Sequence, residues 1–364
     1  MKQLLPALFY MVMSTAVFGQ LAVYEDQLRH FWVFDRGEFE KIEYLPVTSY
    51  QVGGILVAYL DNSENLKVYH NGSTETILEG NPIMYHATDY LLGYSLYQQL
   101  WIYDDGNIEK VSIEADRYIV EDSLIAWHNK LKKTIEIYYD GEVFLLEDGL
   151  INWPVETFRS GDNTLAYVTQ VDRQFKVFYR GEVNVLDNFT ENMKFEAGRN
   201  LVAYYDTPDN SFYAFYKGEV LELESFPPMS FQVGDDIMAY VDNMGRFKYF
   251  RDGKVTEITS FAPDFYEVND QSIVYREINL FNTIHENESF LIERYVPDVY
   301  ELSYNTIAYL NENRFIKAYQ FGRIYNISYK PVDKINLYRD LIIYRDGPNS
   351  VTVFYEGELY KNQP

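Results

Sequence analysis

Residues 165–182 read LAYVTQVDRQFKVFYRGE, and residues 201–219 read LVAYYDTPDNSFYAFYKGE. Each stretch sets a small residue before an aromatic, crosses a polar gap and enters an aromatic run that closes on glycine. The leading aromatic recurs at Tyr24, Tyr59, Tyr94, Trp127, Tyr167, Tyr204, Tyr240, Tyr275, Tyr309 and Tyr344, at spacings of 33 to 40 residues. A period of this length is the signature of one supersecondary unit repeated along a chain.

Other columns keep step with the first. The residue before each aromatic is small or β-branched, and most often Ala, as at Ala58, Ala126, Ala166, Ala203, Ala239 and Ala308. A position that admits mainly Ala is one that another backbone approaches. About thirteen residues on stands a glycine in nine of the ten copies, several of them in Asn71-Gly72, Asp105-Gly106, Asp140-Gly141 and Asp252-Gly253 pairs. Such pairs are strong hairpin signals, because the turn needs positive φ. Three residues before each glycine is an aromatic such as Phe178, with apolar neighbours at both parities, so this strand is expected to be buried on both faces.

A further column lies nine residues before each leading aromatic, at Tyr50, Tyr85, Tyr118, Phe158, Phe195, Phe231, Tyr266, Tyr300 and Ile335. A proline often stands three or four residues earlier, as at Pro46, Pro82, Pro154 and Pro228, which suits a connection rather than a central strand. Each unit thus reads as four short strands, without a sustained helical period. The expected fold is all-β: a β-propeller of four-stranded blades of about 35 residues, with nine complete blades and an N-terminal three-stranded remnant. A β-solenoid is the rival. The copies suit one wide ring, with two smaller rings as the alternative and a weak break near 150–165, where the spacing reaches its longest.

The stretches VGDDIMAYVDN (233–243) and SGDNTLAYVTQ (160–170) resemble the repeat of TolB-type periplasmic β-propellers. There an Asp-containing turn precedes a short Ile-Ala-aromatic strand, a hairpin and a second aromatic strand. The Ser-Pro-Asp-Gly turn of that family is missing here. The resemblance implies the fold, and a strand order in which the Phe-x-Val strand is innermost. It brings no catalytic residues, and such folds carry many functions.

The chain has 364 residues, a formal net charge of −24 and 17% aromatic residues. That acidity argues against nucleic acid as a partner. Cysteine is absent, which removes disulfides and thiolate chemistry. The start, MKQLLPALFYMVMSTAVFGQ, reads as a secretory signal over residues 1–19, cleaved before Gln20. A membrane anchor is the alternative, but the apolar run is short for a bilayer. The expectation is an exported protein, periplasmic or extracellular, whose residues 20–364 form the propeller and do not span the membrane.

Candidate chemistry is thin. The five histidines are scattered, and no HExxH, GxSxG or phosphate loop appears. No catalytic residue, metal site or cofactor is expected, and an enzyme is the less favoured class. Loops such as 61–65 and 206–210 carry Asp and Asn that suit calcium but suit hairpin turns better. Two columns remain as binding candidates. One follows the inner-strand aromatic and holds Gln51, His86, Ile119, Arg159, Glu196, Gln232, Glu267, Glu301 and Asn336. Eight of these nine residues are polar, so they are candidates to line a channel. The other holds Trp32, Trp101 and Tyr213 where other copies have Lys67, Lys176 or Lys248, which suggests an exposed aromatic patch. The expected function is a protein-binding scaffold of the bacterial cell envelope. A carbohydrate-binding or carbohydrate-cleaving propeller is the alternative.

Overall fold

A computed structural model describes residues 20–82, 84–149, 158–169, 172–188, 191, 193–206, 210–347 and 350–362. The expected signal segment, Pro154 and most of the 206–210 loop lie outside them. Among the described residues, 39 strands form ten antiparallel sheets in chain order, one of three strands and nine of four.

The opening stretch shows how one blade is made. Strands β16 (Phe158–Gly161), β17 (Thr164–Val168), β18 (Gln174–Tyr179) and β19 (Glu182–Asn188) pair in sequence order. Strands β17 and β18 are buried on both faces: Leu165, Ala166, Tyr167, Phe175, Val177 and Phe178 have no exposed surface. The outer strand alternates exposed and half-buried residues. The turn into it places Arg180 and Gly181 at φ 51° and 81°, as a type I′ hairpin requires. In the unit after Tyr275, which has no glycine, Glu286 and Asn287 take that role at φ 49° and 65°.

The core lies between blades. One cluster joins Ala166, Phe175 and Val177 of the fifth blade to Phe195, Val202 and Tyr204 of the sixth. The alanines let the sheets close on each other, and aromatic pairs such as Phe175–Phe195, 4.7 Å between centroids, fill the seam. Nine further clusters repeat this around the molecule. The first strands of successive blades approach one another, which makes them the innermost.

The three-stranded blade is β1 (Leu21–Glu25), β2 (Phe31–Asp35) and β3 (Glu38–Glu43). It packs against the tenth blade by side chains: Ala22, Tyr24 and Phe34 meet Leu341, Ile343 and Val353. The Gln20 carboxamide oxygen accepts from the Asp340 amide at 3.1 Å, and Asn362 donates to the Tyr24 hydroxyl. The ring is thereby closed between its first and last blades.

Because the strands alternate in direction, the turns divide between two faces. Turns between first and second strands, and the glycine hairpins, lie on one, here the hairpin face. Turns between second and third strands, and the connections between blades, lie on the other, here the loop face.

Candidate functional site

The first-to-second-strand turns bring one column of residues to the ring axis. It stands five positions before each leading aromatic: Gly54, Asp89, Asp122, Asp162, Arg199, Asp235, Asp270, Tyr304 and Arg339. Arg199 Nη2 lies 2.5 Å from Asp162, 3.4 Å from Asp235 and 3.7 Å from Asp122, so the sixth blade ties the fourth, fifth and seventh. Across the ring, the Tyr304 hydroxyl donates to Asp89, and Arg339 Nη1 lies 3.2 Å from the same carboxylate. The Arg339 guanidinium stacks 4.0 Å over the Tyr304 ring. Gly54 leaves the space that Arg339 fills.

The turns also bond directly to one another. Ser123 N donates to Asp162 O at 2.9 Å, Asp235 N to Asp270 O at 2.7 Å and Tyr304 N to Asp270 Oδ2 at 2.9 Å. The approach is close enough to demand glycine: a Cβ on Gly198 would run into the Gly234 carbonyl, and one on Gly161 into the Gly198 backbone.

Five carboxylates and two guanidiniums share this cluster, so its charge does not balance. Burial, then the neighbouring Asp89 and Asp162, push Asp122 up to about 8. Burial and Asp162 push Asp235 up to about 7. Asp270 also moves up, chiefly by burial. For Arg199 burial works against the charge, but Asp162 and Asp235 outweigh it and hold the guanidinium above its ordinary range. The cluster acts as an ionic pin that holds protons where its cations run out.

Part of the polar inner column bonds across the seams between blades. Gln51 donates to Tyr85 O at 3.2 Å and accepts from Ala87 N at 2.7 Å. Gln232 repeats this with Tyr266 O and Val268 N. Glu301 accepts from Leu337 N at 3.0 Å, and Glu267 accepts from the Tyr300 hydroxyl at 2.8 Å. These side chains spend their polarity on the next blade, satisfying an inner backbone edge that has no further strand to pair with. Burial raises the Glu196 carboxyl. Asn336 lies at the seam of the last and first blades, half-buried. His86, Arg159 and Glu267 are exposed.

Trp32, Trp101 and Tyr213 do not make one exposed patch. They sit on the first, third and sixth blades, half-buried, each stacked on its own blade's leading aromatic. The lysines in this column mark ionic seams rather than solvent. Glu43, Glu224 and Glu293 each take a hydroxyl and an ammonium from the next blade: Tyr59 with Lys67, Tyr240 with Lys248, Tyr309 with Lys317. The Lys248 side chain is only 10% exposed. An aromatic replaces the lysine where stacking takes over the role of the ion pair.

The 61–65 loop is turn chemistry. Asp61 Oδ1 accepts from the amides of Ser63 and Asn65, and its Oδ2 from the Asn65 carboxamide.

The two faces differ sharply. In the turns and connections of the loop face, thirteen large apolar side chains are more than a third exposed, among them Leu28, Tyr44, Tyr97, Phe226, Met229, Met244, Phe261, Ile278 and Tyr329. Among the described residues, in the turns of the hairpin face only Phe321 is. Turns and connections of the loop face line several clefts, one of about 760 Å³ between the fifth, sixth and seventh blades. The outer strands carry an excess of negative charge: together the ten hold sixteen acidic residues against five basic ones.

A family described as "10-bladed beta propeller domain" matches residues 15–360, the described ring in full up to its last strand. The chain belongs to this family. Several solved structures are similar to the chain at low identity. The computationally designed Ika8 protein is 14% identical at TM-score 0.36, covering 85% of this chain and 96% of its own. Prp20p from Saccharomyces cerevisiae is 10% identical at TM-score 0.33, covering 64% and 80%. The CRINKLY WD40 ectodomain of the Arabidopsis thaliana receptor kinase ACR4 is 11% identical at TM-score 0.32, covering 65% and 93%. No curated protein matches the chain. Among the described residues of this propeller, no helix is long and apolar enough to cross a membrane. Its hairpin face is drawn together at the axis by ionic bonds, and its loop face offers apolar side chains and clefts.

Proposed function

We propose that this ten-bladed propeller is a protein-binding scaffold whose loop face is the docking surface. The observation that carries this reading is the asymmetry of exposed apolar residues between the two faces. Scattered apolar side chains are ordinary, but their concentration on one face marks an interaction surface. Large side chains such as Phe226, Met244, Phe261 and Tyr329 are of the kinds enriched in interface cores. The acidic outer strands keep the rim soluble and turn acidic partners away from the sides.

The axial carboxylates have the raised affinity for protons that a general acid needs. Their ionic partners and the bonds between turns favour a structural role for them instead. We take the protein to work outside the cytoplasm, in the cell envelope, on the strength of its N-terminal pattern and the TolB-like repeat.

Photo-crosslinking in envelope extract tests the reading. Benzoylphenylalanine at Met244 or Phe261 should give a discrete protein adduct, and the same probe at Lys217 or Asp252 of the hairpin face should not. Glycan-array binding without any loop-face adduct would instead favour the carbohydrate reading.

A further inference from the structure

The cleft between the fifth, sixth and seventh blades gathers cationic and apolar groups in an otherwise acidic chain. Arg159 comes from the fifth blade's inner strand, and Lys194 and Phe195 from the sixth blade's. Met229 and Phe231 enter from the seventh blade. The Arg159 guanidinium is held in place: Nη1 donates to Phe158 O at 2.7 Å, and its centre lies 5.9 Å from the Phe195 ring. Arg159 lines the cleft and is exposed, and a guanidinium has five N–H donors, so its bond to Phe158 leaves others for a ligand. Lys194 is exposed beside it. Two carboxylates, Glu191 and Glu196, line the cleft against three cations, Arg159, Arg173 and Lys194, and burial raises Glu196, which makes it a weaker competitor for them. Met229 is 69% exposed at the rim, and Phe231 floors the cleft.

The geometry points to a site for an acidic side chain flanked by a bulky apolar residue, on an extended segment of the protein partner. The carboxylate pairs with Arg159 and Lys194, and the apolar neighbour packs on Met229 and Phe231. A charged fork beside an apolar floor suits this pairing, because guanidinium–carboxylate recognition is directional and the floor excludes water from one side. The inference rests on the docking role of the loop face and names the chemistry of one contact there.

The test uses the full chain and synthetic peptides. Acetyl-Gly-Phe-Glu-Phe-Gly-amide is compared with its Glu→Gln counterpart by fluorescence competition. The Glu peptide should bind at least five-fold tighter. The double variant Arg159→Ala/Lys194→Ala should remove that preference with an unchanged thermal melt, and Arg251→Ala on the hairpin face should keep it. A third peptide, with Gln in the centre and a free C-terminal carboxylate, separates a chain end from a side chain; binding of this peptide alone overturns the assignment to a side chain. Equal binding of the Glu and Gln peptides, no binding of either at millimolar concentration, or a preference that survives the double variant overturns the site. Crosslinks at Met244 and Phe261 report on the loop face independently, so failure of this site and failure of the docking reading give different results.

Discussion

The Tyr304 hydroxyl of the ninth blade donates to the Asp89 carboxylate of the third, a residue 215 positions away in the chain. The bond crosses the axis of the ring, so it reports on closure rather than on packing within a blade. Arg339 reaches the same carboxylate and stacks on the Tyr304 ring. Replacing Tyr304 by Phe keeps the stacking and removes the donor. The expected loss is about 1.5–3 kcal/mol, as for a hydrogen bond to a charged group. Urea unfolding of Tyr304→Phe, Asp89→Asn and the double variant checks it. The two losses should combine to less than their sum.

Glycine at the axial turns is a steric requirement. The Gly198→Ala variant places a methyl against the Gly234 carbonyl. A neighbour made of backbone gives way poorly, so we expect a loss of about 1–3 kcal/mol, as in an overpacked core. A thermal melt measures it. Gly218→Ala has open space around its Cβ but sits at φ 94°, so any cost there comes from backbone conformation alone.

The seam between the sixth and seventh blades depends on Glu224. It accepts from Tyr240 at 2.8 Å and from Lys248 at 2.5 Å. Its truncation to Ala leaves the Tyr240 hydroxyl unpartnered at the seam and Lys248 with Asp242 alone, 3.1 Å away. We expect a loss of about 2 kcal/mol. Lys248→Met should cost less, since the aromatic copies show that an uncharged side chain fits this column.

Stability should peak in mildly acidic solution. The carboxyls of Asp122 and Asp235 titrate near 8 and 7 when folded, against about 3.9 when unfolded. Between those values the folded chain holds protons that the unfolded chain has released. Their contribution is full below about 3.9 and is lost as the pH rises through 7 to 8. Asp61 and Asp242 act in the opposite sense. Against the cost of burial, backbone amides and lysine partners hold each down to about 2, so their contribution fades as the pH falls towards that value. Calorimetry should find a higher melting temperature at pH 5.5 than at pH 8.5 or pH 2.5. Asp122→Asn should flatten the alkaline side.

The blade was legible in sequence because its burial is periodic. Ala166, Tyr167, Phe178 and Gly181 recur with one chemistry in most copies, and each plays the same packing or turn role there. The axial column was not singled out, although it keeps the same spacing. Its members run from Gly54 through Asp162 to Arg199 and Tyr304, and an Asp in a tight turn already has a local explanation. Their common property is convergence, which exists only once the ring has closed. The Lys67 and Trp32 column misled for a related reason. Lysine suggests solvent when read alone, but Glu43, which buries Lys67, belongs to the preceding blade. The polar inner column lies on the innermost strands. Its bonds to the neighbouring backbone, as from Gln51 to Ala87, depend on a register between blades that no single repeat encodes.

The central claim is that the loop face, and not the hairpin face, is where this propeller meets a protein partner. The most direct measurement is site-specific photo-crosslinking in envelope extract, with probes at Phe226, Met244 and Phe261 on one face and at Lys217, Asp252 and Phe321 on the other. We predict the same partner mass from all three loop-face positions and from none of the hairpin-face positions. A discrete adduct confined to the hairpin face, or equal labelling of both faces, would contradict the account.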